Sequence, residues 1–117
     1  MGMDTGIVRV RGKYLLFASG CKRGRNLEAL IPQVASKISK SGARLQLINP
    51  VVLFPPGTKA QEVRRTLARI TNKARELGMT VGKGHTEITP GLDQPTLMLT
   101  IFGSITAPKK RQLVSKP

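Results

Sequence analysis

A chain of 117 residues is long enough to bury one core and too short for two ordinary domains; with only 3% aromatic residues and no Trp, that core must be aliphatic. Twenty Lys and Arg against six Asp and Glu leave a formal charge of +14, which points to polyanions, nucleotides or an acidic partner surface without choosing among them. Cys21 is the only cysteine, which excludes an intrachain disulfide. No apolar run approaches the roughly 18 residues of a membrane span, and the N-terminus lacks a signal-peptide pattern, so a cytoplasmic location is expected.

Residues 7–10 and 14–18 are short β-prone runs around Arg11, Gly12 and Lys13, which predicts a hairpin. Residues 19–25, Ser-Gly-Cys-Lys-Arg-Gly-Arg, read as a basic loop, either solvated or in contact with phosphates. Leu27, Ile31, Val34 and Ile38 recur at helical spacing and predict a helix ending at Ser41 and Gly42; Asn26 is its candidate N-cap, and Pro32 blurs where it starts. Residues 45–54 predict a buried strand with a break or bulge at Pro50.

Thr58 is placed to cap a second helix, in which Val63, Leu67, Ile70, Ala74 and Leu77 form the apolar stripe and Gly78 the stop. Arg64, Arg65, Arg69, Lys73 and Arg75 occupy its other faces, as a solvated surface or a surface for RNA. Residues 79–81 begin a strand and 96–102 form the last one. The order β β α β α β β, with each helix apolar on one side only, predicts an α+β fold: about four to five mixed strands with two amphipathic helices on one sheet face. Residues 1–106 form the domain, and 107–117 are expected to be a basic, flexible tail.

The stretch most able to carry chemistry is residues 82–91, Gly-Lys-Gly-His-Thr-Glu-Ile-Thr-Pro-Gly. Gly82 and Gly84 around Lys83 allow close backbone approach to an anion, and His85, Thr86 and Glu87 place imidazole, hydroxyl and carboxylate in succession. It is not a P-loop, because the four-residue spacer and the Gly-Lys-Ser/Thr ending are missing. The alternative is a strand exit followed by a turn on Pro90 and Gly91.

Residues 53–58, Leu-Phe-Pro-Pro-Gly-Thr, the helix after them, and residues 84–95, Gly-His-Thr-Glu-Ile-Thr-Pro-Gly-Leu-Asp-Gln-Pro, together resemble the N-terminal domain of the AIR synthase superfamily. That superfamily includes aminoimidazole ribonucleotide synthetase, thiamine-monophosphate kinase, selenophosphate synthetase and the hydrogenase-maturation dehydratase, whose branch has the most similar pattern. The resemblance runs from Gly2 to about Ile105. It implies an ATP-binding domain that dimerises by pairing two sheets into a barrel. Leu97, Leu99 and Ile101, or their alternating neighbours, would line the seam, and a core face is the competing reading of the same positions.

The resemblance also implies the site. Nucleotide contacts would come from Asp4, Lys37, Gly82, Lys83, Gly84, His85, Thr86 and Glu87, with Asp4 and Glu87 as the surviving metal ligands. Several family positions have changed. Residues 18–20, Ala-Ser-Gly, stand where the family carries a Thr-Asp segment, and Lys37 replaces the aspartate of its Ala-Asn-Asp-Ile segment. An ammonium carries only donors and cannot bind a metal. With few carboxylates to hold Mg between phosphate oxygens, and no counterpart of the family's C-terminal domain, the expectation is weak or lost ATP and Mg use and no catalytic residue. The expected protein is a degenerate, stand-alone homodimer that binds a nucleotide, another anion or an acidic partner protein. The alternative is a basic nucleic-acid-binding protein on the same fold, for which the +14 charge speaks.

Overall fold

The protein is described by a computed structural model over residues 3–106, with side chains from Thr5 onward; residues 107–117, assigned above to a tail, lie outside the described residues. Strands β1 (Met3–Val10) and β2 (Lys13–Arg23) form an antiparallel hairpin. Its two turn residues, Arg11 and Gly12, both have positive φ, 49° and 79°, the twist that a tight hairpin turn demands. Strand β6 (Thr96–Ile105) pairs antiparallel with β2 on one side and with β3 (Arg44–Phe54) on the other. Two short strands, β4 (Thr80–Val81) and β5 (His85–Ile88), run parallel to β3 along its remaining side.

The result is a six-stranded mixed sheet in the order β1-β2-β6-β3-β4, with β5 also on β3. This is the expected α+β architecture with one strand more, since β5 forms within the stretch read as a loop.

Helices α1 (Leu30–Ser39) and α2 (Ala60–Glu76) cover one face of the sheet. Their buried residues Leu30, Ile31, Val34, Ile38, Ile70 and Ala74 meet Leu16, Ala18, Ile48, Val52, Phe54, Leu97, Leu99 and Ile101 in a single aliphatic core. Leu97, Leu99 and Ile101 therefore belong to the core and not to an open seam, because alternation along β6 turns all three toward the helices.

Both expected helix caps fail. Asn26, at φ 54°, precedes a 3-10 turn, Leu27–Ala29, and makes no side-chain cap bond; α1 starts after it, with Pro32 in the first turn where its missing N–H costs nothing. The Thr58 hydroxyl donates instead to the Pro55 carbonyl at 2.7 Å, closing the Pro-Pro-Gly turn, and α2 begins at Ala60. Gly78, at φ 79°, ends α2 as read from sequence.

Pro50 does not break β3, which is continuous from Arg44 to Phe54; the irregularity lies between Leu45 and Leu47. The proline acts on the neighbouring edge instead. The carbonyls of Ile48 and Phe54 accept from Gly82 and Thr89 at 2.7 and 2.8 Å, so every second residue of β3, Pro50 included, faces that edge. Having no N–H to offer, Pro50 sits where β4 has ended and β5 has not begun.

Candidate functional site

The face of the sheet opposite the helices is uncovered among the described residues. Met98, Thr100 and Phe102 of β6 point to it, with Leu15, Phe17, Ser19 and Cys21 of β2 and Leu47, Asn49, Val51 and Leu53 of β3, because their alternate neighbours form the core. Val8 and Val10 of β1 continue this face and are 48% and 50% exposed; Met98 is 38% exposed.

A depression of about 400 Å³ lies in the middle of the face, lined by Ser19, Cys21, Asn49, Val51, Met98 and Thr100. The Ser19 and Thr100 hydroxyls are hydrogen bonded to each other across β2 and β6 at 3.1 Å. Asn49 pairs in register with Thr100, which extends this polar row onto β3. Sequence reasoning passed over Asn49 and Thr100. The available signal was each being the polar member of an otherwise apolar alternating set, Leu47-Asn49-Val51 and Met98-Thr100-Phe102.

Strand β5 divides the three consecutive residues singled out from sequence. His85 pairs with Val51 and Glu87 with Leu53, on the open side; Thr86 pairs with the buried Val52 and turns toward the helix side. There Thr86 joins Phe54, Thr58, Val63 and Arg64 around a second depression of about 430 Å³. On the open side His85 Nε2 lies 2.7 Å from Glu87 Oε1, and the Thr89 hydroxyl donates to Glu87 Oε2 at 3.4 Å. The His85 hydrogen bond, with a lesser contribution from Thr89, holds the Glu87 carboxyl below the usual carboxylate range.

The other expected site residues are scattered. Gly82 and Gly84 serve strand packing: a Cβ on Gly84 would overlap the Pro50 carbonyl, and one on Gly82 would come 3.3 Å from the Ile48 carbonyl oxygen. Lys83 between them is exposed, and Lys37 is exposed on α1, across the sheet from His85 and Glu87. Asp4 pairs in register with Ser19 on β1, and its side chain lies outside the described residues.

Four strand spacings of about 4.8 Å separate β1 from β5, roughly 19 Å in all, whereas two ligands of one Mg ion lie within about 4–5 Å of each other. The backbones of Asp4 and Glu87 thus stand on strands far apart in the sheet of one chain. Among the described residues no three His, Cys, Asp or Glu side chains cluster to hold a metal. The donors of the open depression are hydroxyl, amide and thiol, a set that does not fit a divalent ion bridging phosphates.

No helix among the described residues is long and apolar enough to cross a membrane. No family model matches the sequence. No curated protein matches it. Solved structures do, at 12–18% identity, and they show a shared fold, the AIR synthase N-terminal-like α+β fold expected from the sequence.

Among them is the hydrogenase maturation protein HypE in a HypE–HypF complex, with a TM-score of 0.73, 12% identity, and coverage of 86% of this chain and 36% of that one. HypE in complex with ATP matches at 0.71, with 18% identity over 80% and 31%. A further match, at 0.73 with 14% identity over 92% and 38%, is the ThiL protein AaThiL complexed with AMPPCP and TMP; thiamine monophosphate kinase from Aquifex aeolicus matches too. The chain spans about a third of the length of these proteins.

Proposed function

We propose that the chain is an AIR synthase-type nucleotide-binding domain that binds without a bridging metal, has lost the family's ATP chemistry, and works as a dimer closed over the open sheet face. The depression at Ser19, Asn49 and Thr100 carries this reading. Its hydroxyl and amide groups are suited to hydrogen bonding a base or ribose, and Val51 and Met98 supply apolar walls for a planar ring. Within residues 18–20, where the resemblance expects a Thr-Asp segment, Ser19 shares a hydrogen bond with Thr100, a neutral pair that offers a divalent ion no carboxylate charge. Two neighbours by fold are named with ATP or AMPPCP bound, which adds support for a nucleotide, and HypE is named in complex with HypF, which adds support for a protein partner.

Dimerisation is proposed from the same face. Val8, Val10, Leu15 and Met98 are large apolar side chains on a surface that no helix among the described residues covers, and a second copy meeting it face to face would bury them. His85 and Glu87 border this face and would approach the partner subunit.

Calorimetry of the nucleic-acid-free protein against ATP, with magnesium and with chelator, tests the proposal. Equal binding in both conditions, weakened by Asn49→Leu and unaccompanied by phosphate release, is the expected result. Magnesium-dependent binding with turnover would overturn the loss of chemistry, and no binding in either condition would retire the nucleotide reading.

A further inference from the structure

On the helix side of the sheet, at the end opposite the hairpin turn, a cleft of about 460 Å³ opens between α2 and the loop that follows β2. Three arginines line it: Arg25 from the loop, and Arg65 and Arg69 one turn apart on α2. Glu28 and Glu62 line it too, yet among the described residues none of the five forms an ion pair or a side-chain hydrogen bond. The loop is fixed rather than free to collapse. Gly24 N–H donates to the Pro95 carbonyl and Ala29 N–H to the Asn26 carbonyl, both at 2.9 Å, and Arg25 stands between two residues of left-handed backbone, Gly24 and Asn26.

Three arginines lining one concave surface, with no ion-pair partner among the described residues, suit an anion. Their planar forks match phosphate oxygens two at a time. The two carboxylates accept only, so they suit the N–H or O–H groups of whatever carries the phosphate.

We propose that this cleft binds a phosphate group, held by Arg25, Arg65 and Arg69 and presented either by a small phosphorylated molecule or by the backbone of a single-stranded nucleic acid. The proposal does not rest on the nucleotide site of the open face, which lies across the sheet and contains no arginine.

The test uses the full chain and two probes, inorganic pyrophosphate by calorimetry and a short fluorescent single-stranded oligonucleotide by anisotropy over a salt series. Arg65→Gln/Arg69→Gln removes the helical pair, and Arg25→Gln removes the loop contact independently. Arg64→Gln/Arg75→Gln removes the same charge from α2 outside the cleft. Affinity for at least one probe should fall more than about tenfold in each cleft variant and less than about threefold in the control, as expected when charge-assisted hydrogen bonds are lost.

Pyrophosphate binding alone assigns a small phosphorylated ligand. Oligonucleotide binding with a steep salt slope assigns the nucleic-acid backbone. Failure of both probes to bind, or equal loss in the cleft and control variants with circular dichroism unchanged, would overturn the proposal.

Discussion

His85 and Glu87 share the open side of β5, imidazole Nε2 to carboxylate Oε1 at 2.7 Å. Folding lowers the Glu87 pKa through that bond, so the folded chain binds fewer protons there than the unfolded chain. The associated stability is present above the ordinary carboxylate pKa and is lost as pH falls through the lowered value. His85→Ala should move the Glu87 titration, followed by carboxyl NMR shifts, upward to the ordinary range and flatten this part of the acid denaturation curve. A Glu87 midpoint unmoved by the substitution would remove the pair from the account.

Gly84→Ala should be destabilising, because the new methyl overlaps the Pro50 carbonyl and neither backbone segment can yield without disturbing β3. Gly103→Ala belongs with it: a Cβ there comes 2.8 Å from the Arg44 carbonyl oxygen and collides with Ile38 of α1. Overpacking of this kind costs about 1–3 kcal/mol, read as a lower denaturant midpoint with unchanged slope. Gly82→Ala meets its neighbours at 3.3 Å and should cost less.

Neighbouring residues of β6 should respond in opposite ways. Leu99 is in the core and Met98 on the open face, so Leu99→Glu should unfold the domain, whereas Met98→Glu should leave it folded. If the open face is the dimer surface, Met98→Glu also shifts the protein to monomer in sedimentation. A dimer unaffected by Met98→Glu and by Phe102→Asp would place the interface elsewhere.

Phe54 is fully buried at the end of β3 and has Val63 beside it on the α2 side. Phe54→Ala should cost about 3–5 kcal/mol, and chemical denaturation would show it. A loss below 1 kcal/mol would mean that α2 is not anchored there.

Helix α2 was legible because five apolar residues hold its spacing over four turns and Gly78 ends it. Residues 45–54 were legible as a strand for the parallel reason, a long β-rich run. The caps misled because Asn26 and Thr58 have the right side chains one or more residues too early, and only the backbone shows where each helix starts. Strand β5 was hidden because all four of its residues are exposed. It has no burial pattern to betray it, and it exists only because β3 offers an edge. The candidate site suffered the same way: neighbours in sequence, His85 and Thr86, part to opposite faces, while Ser19, Asn49 and Thr100 meet from three strands.

The gap that Pro50 opens also makes the two margins of the sheet unequal. On one side β4 and β5 offer an incoming strand only two and four residues in turn, with an interruption between them, too little for a stable ladder. On the other, β1 runs eight residues and carries the charge of Arg9 near its end. Strand addition by a foreign chain is thus biased to one margin, and neutralising Arg9 should promote aggregation where the same change on β5 would not.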